Sequence, residues 1–234
     1  MQINQILLEV CVGNVADGLL AAQADIDRLE VNSALEMGGL TPNFGTVRHM
    51  LDQTDVPLVV MLRPRGGDFC YCGSEITALL HDLELFQNLG INQFIVGCLT
   101  SSGMIDQQMC EKLMREAPDA TWVFSRAIDT TADYGAAFES VVELGFHRIL
   151  TSGGAATAPL GSDTLREMHN RFGDEIGIVA GCGINQMNVS SFLQTTALKQ
   201  IHGSFSTKTT IPGTNEVAQR LDFHHLQNVL RIVR

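Results

Sequence analysis

Positive charge is scarce in this chain. Lysine and arginine number 15 against 26 aspartates and glutamates, the formal net charge is −11, and no basic cluster occurs. Nucleic acid and anionic membrane surfaces are therefore not expected as partners, because both are bound by neutralising phosphates. Long apolar runs are missing too: none approaches the roughly 18 residues needed to cross a bilayer. The amino terminus, Met1-Gln2-Ile3-Asn4-Gln5, has neither the basic start nor the small-residue cleavage site of a secretory signal, so a cytoplasmic location is expected. Six cysteines in 234 residues are too dilute for a disulfide scaffold, and none forms a C-x-x-C zinc pattern. Free thiols in a reducing compartment follow. Hairpin signals such as Asn-Gly between strand-like runs are absent as well.

What is present is enough to build a core, with 45% hydrophobic and 18% charged residues. Short β-rich runs alternate with amphipathic helical stretches from end to end. The strands are predicted to begin near Ile6, Arg28, Pro57, Gln93, Thr121, Arg148, Glu175 and Lys199, with starts 22 to 36 residues apart. That spacing is close to the length of a βαβ unit. Between them, Ser74 to Leu89 carries Ile76, Leu79, Leu80, Leu83 and Phe86 at helical spacing, with Ser74 as N-cap and Gly90 as stop. Tyr134 to Leu144 ends likewise at Gly145, a last helix runs from about Glu216 to Val233, and Thr207 to Asn215 reads as a polar loop able to close over a site. A doubly wound sheet and a closed barrel both suit this alternation. Eight regular units without a linker favour one (β/α)8 TIM barrel domain over residues 1–234.

In such a barrel the active site lies at the C-terminal strand ends. Strand one ends Glu9-Val10-Cys11, strand two Glu30-Val31-Asn32, and strand three runs Arg63-Pro64-Arg65-Gly66-Gly67-Asp68. Two arginines at i and i+2 share one strand face, a Gly-Gly turn lets backbone approach a ligand, and Asp68 adds a carboxylate. This reads as the rim of an anion pocket with Arg63 and Arg65 as clamps; the plainer alternative is an Arg–Asp pair bracing a turn. Strand five ends in Arg126 and Asp129. Strands seven and eight end in Gly181-Cys182-Gly183 and His202-Gly203-Ser204, loops that present backbone N–H groups to anions in many barrels, although glycines also end strands for steric reasons. His202 is the histidine best placed for acid–base work. Glu9, Glu30, Arg63, Asp68, Arg126, Asp129 and His202 are thus the candidate catalytic set. Cys11, Cys70, Cys72, Cys98 and Cys182 all fall at this end, and Cys70-x-Cys72 is able to pinch a soft metal, although free cysteine is often simple core filler.

Pro64-Arg65-Gly66-Gly67-Asp68-Phe69-Cys70-Tyr71 resembles the signature of the CutC family, named for copper homeostasis. Gly38-Gly39-Leu40-Thr41-Pro42, Ser125-Arg126-Ala127-Ile128-Asp129 and Leu150-Thr151-Ser152-Gly153 resemble its other blocks, in order. The resemblance implies a (β/α)8 barrel, a homodimer, a pocket at the C-terminal face and a link to copper. Cu(I) would then be held by cysteines, with Cys11, Cys70 and Cys72 as the candidates. Two departures stand out. The family's Glu-Leu-Cys is read here as Glu30-Val31-Asn32, which replaces a thiol by a hard amide, and its Phe-His-Arg-Ala-Phe-Asp is read as Phe124 to Asp129 with Ser125 in place of histidine. Three functions remain open at this point. One is a copper(I) handling protein. The second is a lyase or isomerase acting on a small anionic metabolite such as a sugar phosphate or sugar acid. The third is a binding barrel without chemistry.

Overall fold

The eight apolar runs become eight parallel strands: β1 Leu7–Val12, β2 Arg28–Val31, β3 Leu58–Leu62, β4 Gln93–Val96, β5 Thr121–Phe124, β6 Arg148–Thr151, β7 Gly177–Ala180 and β8 Gln200–Gly203. In this computed structural model, which describes residues 6–211, 213–214 and 217–234, they close into a barrel in sequence order, with β8 pairing β1. Eight α-helices alternate with the strands: α1 Val15–Ala21, α2 Phe44–Gln53, α3 Gly73–Asn88, α4 Gln107–Glu116, α5 Tyr134–Glu143, α6 Ser162–Phe172, α7 Val189–Thr196 and α8 Phe223–Val233. The (β/α)8 expectation holds. Among the described residues no helix is long and apolar enough to cross a membrane.

Two cores follow from the period of two along each strand. Leu58, Val60 and Leu62 face outward into the shell between barrel and helices, while Val59 and Met61 join Ile95, Val123, Leu150 and Val179 in a separate buried cluster inside the barrel. That inner cluster is drawn from β3 to β7. The strands on the other side, β8, β1 and β2, contribute buried polar groups instead: His202, Glu9, Arg28 and Glu30. The barrel interior is apolar on one side and ionic on the other.

Local signals explain most boundaries. The helix expected over Ser74 to Leu89 runs Gly73–Asn88, one residue earlier, and its N-cap is Cys72 rather than Ser74. Glu75 draws the start forward, because its carboxylate accepts the Cys72 N–H at 2.8 Å. The segment after β8 departs further from expectation. Ser206–Thr210 and Val217–Leu221 form an antiparallel two-stranded sheet, β9 and β10, with Val217 opposite Thr210 and Leu221 opposite Ser206. The polar loop is thus largely a hairpin built from a threonine-rich run, and the last helix starts at Phe223 because Asp222 caps it by accepting the His225 N–H at 3.0 Å. Of the residues assigned to that loop and helix, Pro212, Asn215 and Glu216 lie outside the described residues, as do Met1 to Gln5.

Candidate active site at the mouth of the barrel

The C-terminal strand ends surround a cavity of about 870 Å³, lined among others by Cys11, Glu30, Arg63, Arg126, Asp129, Cys182 and His202. Barrel closure sets its polar wall. In the β1–β8 register Glu9 lies opposite His202, and in the β1–β2 register Glu9 lies opposite Arg28. The Glu9 carboxylate accepts a hydrogen bond from Arg28 Nε at 2.7 Å on one oxygen and meets His202 Nδ1 at 2.9 Å on the other. Arg28 is held from below by Gln200 Oε1 at 2.8 Å. Glu30 Oε2 lies 3.9 Å from His202 Nδ1, and Glu30 Oε1 accepts from Asn32 Nδ2 at 2.7 Å. Cys11, two residues beyond Glu9 on the same strand face, lines the cavity together with His202.

These contacts divide the acids. Burial alone would raise the Glu9 carboxyl, but the hydrogen bond and charge of His202, together with Arg28, outweigh it and hold Glu9 down at about 2. Glu30 goes the other way. Its burial, reinforced by the negative charge of Glu9, outweighs His202 and Asn32 and raises its pKa. Burial opposes charge on His202 as well, but Cys11 and Glu30, with Glu9, keep the imidazole protonated well above its ordinary range. One carboxylate therefore stays charged well below the usual carboxylate range and is spent on positioning. The other holds its proton more readily than an ordinary carboxyl, and its Oε2 has no hydrogen-bond partner among the described residues.

Arg63 enters from the neighbouring strand end. It is 5% exposed, and its terminal nitrogens donate to the carbonyls of Met37 at 2.9 Å, Gly39 at 3.2 Å and Gly67 at 2.7 Å. Gly67 reaches this position with φ +89°, a conformation that a side chain resists. The guanidinium also sits 4.4 Å from the Phe69 ring centre. Its Nε has no partner, and no carboxylate lies within ion-pair distance among the described residues. Arg63 is thus a buried cation on the cavity wall without a counter-ion.

The next two residues of the motif do not join it. Arg65 Nε bonds Glu75 at 2.5 Å and its NH2 bonds Asp68 at 2.9 Å, with the Asp68 side chain 72% exposed. Arg65 and Asp68 stand outside the cavity lining and brace the β3–α3 turn; β3 ends at Leu62, so strand alternation no longer gives Arg65 the face of Arg63. Arg126 does reach the cavity, pairing with Asp129 at 3.0 Å and donating to Ser152 Oγ at 3.2 Å. Asp129 also accepts from Thr151 Oγ1 at 2.6 Å and from the Gly154 N–H at 3.0 Å, so its oxygens are occupied in fixing the β6–α6 loop. Gly183, Gly203 and Ser204 line the cavity as well, while Gly181 lies behind them. Gly183 adopts φ +79°, where an added Cβ would stand 2.8 Å from Thr157.

The cysteines scatter. Cys11 and Cys182 line the cavity, Cys70 and Cys72 do not, and Cys98 is buried against Cys110 of α4. Alternation accounts for Cys98: Gly97 takes the inward position of β4, which turns Cys98 into the outer shell. A copper(I) site held by Cys11, Cys70 and Cys72 does not fit this geometry. Beside Cys11, position 32 carries an amide committed to Glu30. The oxygens and nitrogen of Glu9, Glu30 and His202 do lie within 4.8 Å of one another. One oxygen of Glu9 is already paired with the Arg28 guanidinium, whose positive charge works against a further cation there.

Arg28, Gln200 and Asn32 support the site, and sequence reasoning assigned the first two no role. Arg28 precedes Glu30 by two residues and so shares its face, a signal that was present in the strand. The contact of Arg28 with Gln200 needed knowledge of which strand closes on which.

Comparison with known proteins agrees with the geometry. The profile of the CutC family matches residues 6–207. A family protein CutC from Glaesserella parasuis is 39% identical over 201 residues, 86% of this chain and 82% of that protein. The copper homeostasis protein cutC homolog of Caenorhabditis elegans is 36% identical over 216 residues, covering 92% and 86%. The crystal structure of the putative copper homeostasis protein CutC from Streptococcus agalactiae superposes with a TM-score of 0.78 at 29% identity, covering 85% of this chain and 98% of that one. With the signature turn, the barrel and these relatives in agreement, the chain belongs to the CutC family.

Proposed function

We propose that the cavity binds a small anionic carbonyl metabolite, such as a sugar phosphate or sugar acid, and that the barrel moves a proton beside the carbonyl as a lyase or isomerase. The observation that carries this reading is Arg63, a buried cation with a free Nε and no carboxylate partner among the described residues, on a chain of net charge −11. A buried charge without a counter-ion is costly unless a ligand supplies one, and a guanidinium grips carboxylate or phosphate through directed hydrogen bonds. Arg126, whose side chain is 40% exposed at the same wall, supplies a second positive group. Glu30 takes the proton next to the carbonyl, since its raised pKa brings it toward the working range of a general base. Protonated His202 faces the developing negative oxygen. Such positioned proton transfer contributes about 10²- to 10⁴-fold in rate.

Copper reaches this chain through the names of its relatives. Cys11 is the single thiol beside His202, and Asn32 offers a hard amide where a second soft ligand would be needed, so copper(I) held by cysteines is the weaker reading.

A thermal-shift screen with inorganic phosphate, sugar phosphates and sugar acids tests the proposal. Stabilisation by at least one of them at millimolar concentration, weakened about tenfold in Arg63→Lys, is expected. A panel without stabilisation, or stabilisation untouched by Arg63→Lys, would overturn it.

A further inference from the structure

Cys11, His202 and Glu9 stand in a row that the acid–base reading does not use in full. Glu9 and Cys11 project from β1 on the same inward face, and closure of the barrel sets His202 of β8 opposite Glu9. Glu9 Oε1 lies 2.9 Å from His202 Nδ1, and its other oxygen is fixed by Arg28 at 2.7 Å. The imidazole therefore cannot turn freely. With Nδ1 committed to Glu9, Nε2 is the nitrogen left to exchange a proton with Cys11, which lines the same cavity. Glu9 is fully buried beneath the cavity, while Cys11 and His202 both line it. Nucleophile, base and orienting carboxylate are stacked from the opening inward.

We propose that Cys11 is a nucleophile, with His202 as its proton partner and Glu9 as the residue that positions His202. This is the logic of a nucleophile beside a base that a third group orients, a constellation recognised by geometry and roles rather than by fold. Arg28 completes it from behind by keeping Glu9 charged. The electrophile is a carbonyl carbon, which deepens the proposed function and rests on it for the identity of the reacting group. The sulfur lone pair forms the S–C bond, and the C=O π pair moves to oxygen. That oxygen takes a proton from His202 Nε2 and the imidazole recovers one from the thiol, giving a thiohemiacetal and returning the histidine to its starting state. No oxidant, reductant or third reactant is required.

Cys182 provides an internal control, because it also lines the cavity but its thiol only donates to the Ala156 carbonyl at 3.3 Å. The experiment is alkylation of the intact protein by iodoacetamide at neutral pH, read site by site by peptide mass spectrometry. Cys11 is expected to react about tenfold or more faster than Cys182, and His202→Asn and Glu9→Gln are each expected to erase that advantage while leaving the Cys182 rate unchanged. Iodoacetamide is neutral, so this result does not depend on the anion reading. A Cys11 rate in the unaltered protein no greater than that of Cys182 would overturn the proposal. So would a fast rate that persists in folded His202→Asn or, should that variant fail to fold, in His202→Gln. Adding glyceraldehyde 3-phosphate addresses the electrophile: reversible protection of Cys11, lost in Arg63→Lys, supports the carbonyl step. Fast, His202-dependent alkylation without protection would uphold the nucleophile and overturn the carbonyl as its target.

Discussion

Glu9 and His202 are 193 residues apart in the chain and 2.9 Å apart in the barrel. The contact exists only because β8 closes on β1, so the first and last strands of the barrel supply its two sides. The polar site at this seam depends on closure, and closure in turn is tied to the site by the charges on it. Glu9 pairs with Arg28 across the β1–β2 edge and with His202 across the β1–β8 edge, which makes one carboxylate the link among three strands. Such a link is costly to leave half-made.

Removing Arg28 should therefore weaken the fold out of proportion to its size. The Arg28 and Glu9 side chains are 9% and 1% exposed, and breaking a buried pair from one side leaves the other charge stranded. Arg28→Met is expected to lose about 3–5 kcal/mol in urea denaturation. A loss under about 1 kcal/mol would mean that Glu9 finds another partner.

The same carboxylate predicts an acid limb of stability. Glu9 has a folded pKa of about 2 against an ordinary 4.5. A group with a lowered folded value stabilises the fold above its unfolded pKa, and that contribution drains away as the pH falls from 4.5 toward 2. The full contribution corresponds to about 3 kcal/mol. Chemical denaturation across that interval should show the slope in the unaltered protein and a shallower one in Glu9→Gln. Parallel curves for the two proteins would remove Glu9 as its source.

Glu30 should behave in the opposite sense. Its folded pKa is raised, so keeping it ionised above its unfolded value costs stability rather than supplying it. Glu30→Gln preserves the oxygen that accepts from Asn32 and removes the buried charge. A higher Tm at neutral pH, with the gain shrinking as the pH is lowered through the usual carboxylate range, is the expected result. Stability bought at the expense of a working group would mark position 30 as functional, and an unchanged or lower Tm at neutral pH would count against a strained carboxylate there.

How much of this was legible in the sequence depends on what each residue's partner was. The strands, the barrel and the inward faces of Glu9, Glu30 and His202 follow from periodicity, which is a property of each strand alone. The separate fates of Arg63 and Arg65 followed only in part: alternation gives both the same direction, but β3 ends at Leu62, and Arg65 with Asp68 forms the turn-bracing pair that was the plainer alternative. The hairpin of β9 and β10 escaped for a different reason. Its residues are polar and largely exposed, so no buried face printed an alternating pattern on Ser206–Thr210. Cys98 does fall at the end of β4, as expected, but packs in the outer shell against Cys110.

The divergent roles of the two arginines are themselves testable. Arg65 is tied to Glu75 and Asp68 and stands outside the cavity, whereas Arg63 lines it with a free Nε. Arg65→Lys should change the affinity for a stabilising sugar phosphate or sugar acid by less than about twofold, while Arg63→Lys should weaken it about tenfold. Titration calorimetry on both variants separates the two cases. Equal losses would place the clamp in the β3–α3 turn as a whole.

The family name can be put to the same kind of test at position 32. In this chain Asn32 is 1% exposed, its Nδ2 is committed to Glu30 Oε1 at 2.7 Å, and its Oδ1 has no partner. An amide there gives Cu(I) a hard oxygen where a soft ligand is needed, with Cys11 the nearest thiol along the neighbouring strand edge. Asn32→Cys would bring a second sulfur to the same wall and release Glu30 Oε1 from its hydrogen bond. Competition against a Cu(I) chelator should show the variant binding at least about tenfold more tightly than the unaltered protein, because two-thiolate coordination is the geometry that Cu(I) selects. The release of Glu30 gives the experiment a second readout, since a carboxylate that loses its one donor should shift further upward, and the Glu30→Gln gain in Tm should grow in the Asn32→Cys background. Equal copper affinity in the two proteins would detach position 32 and Cys11 from copper altogether, and would leave the cavity to the anion.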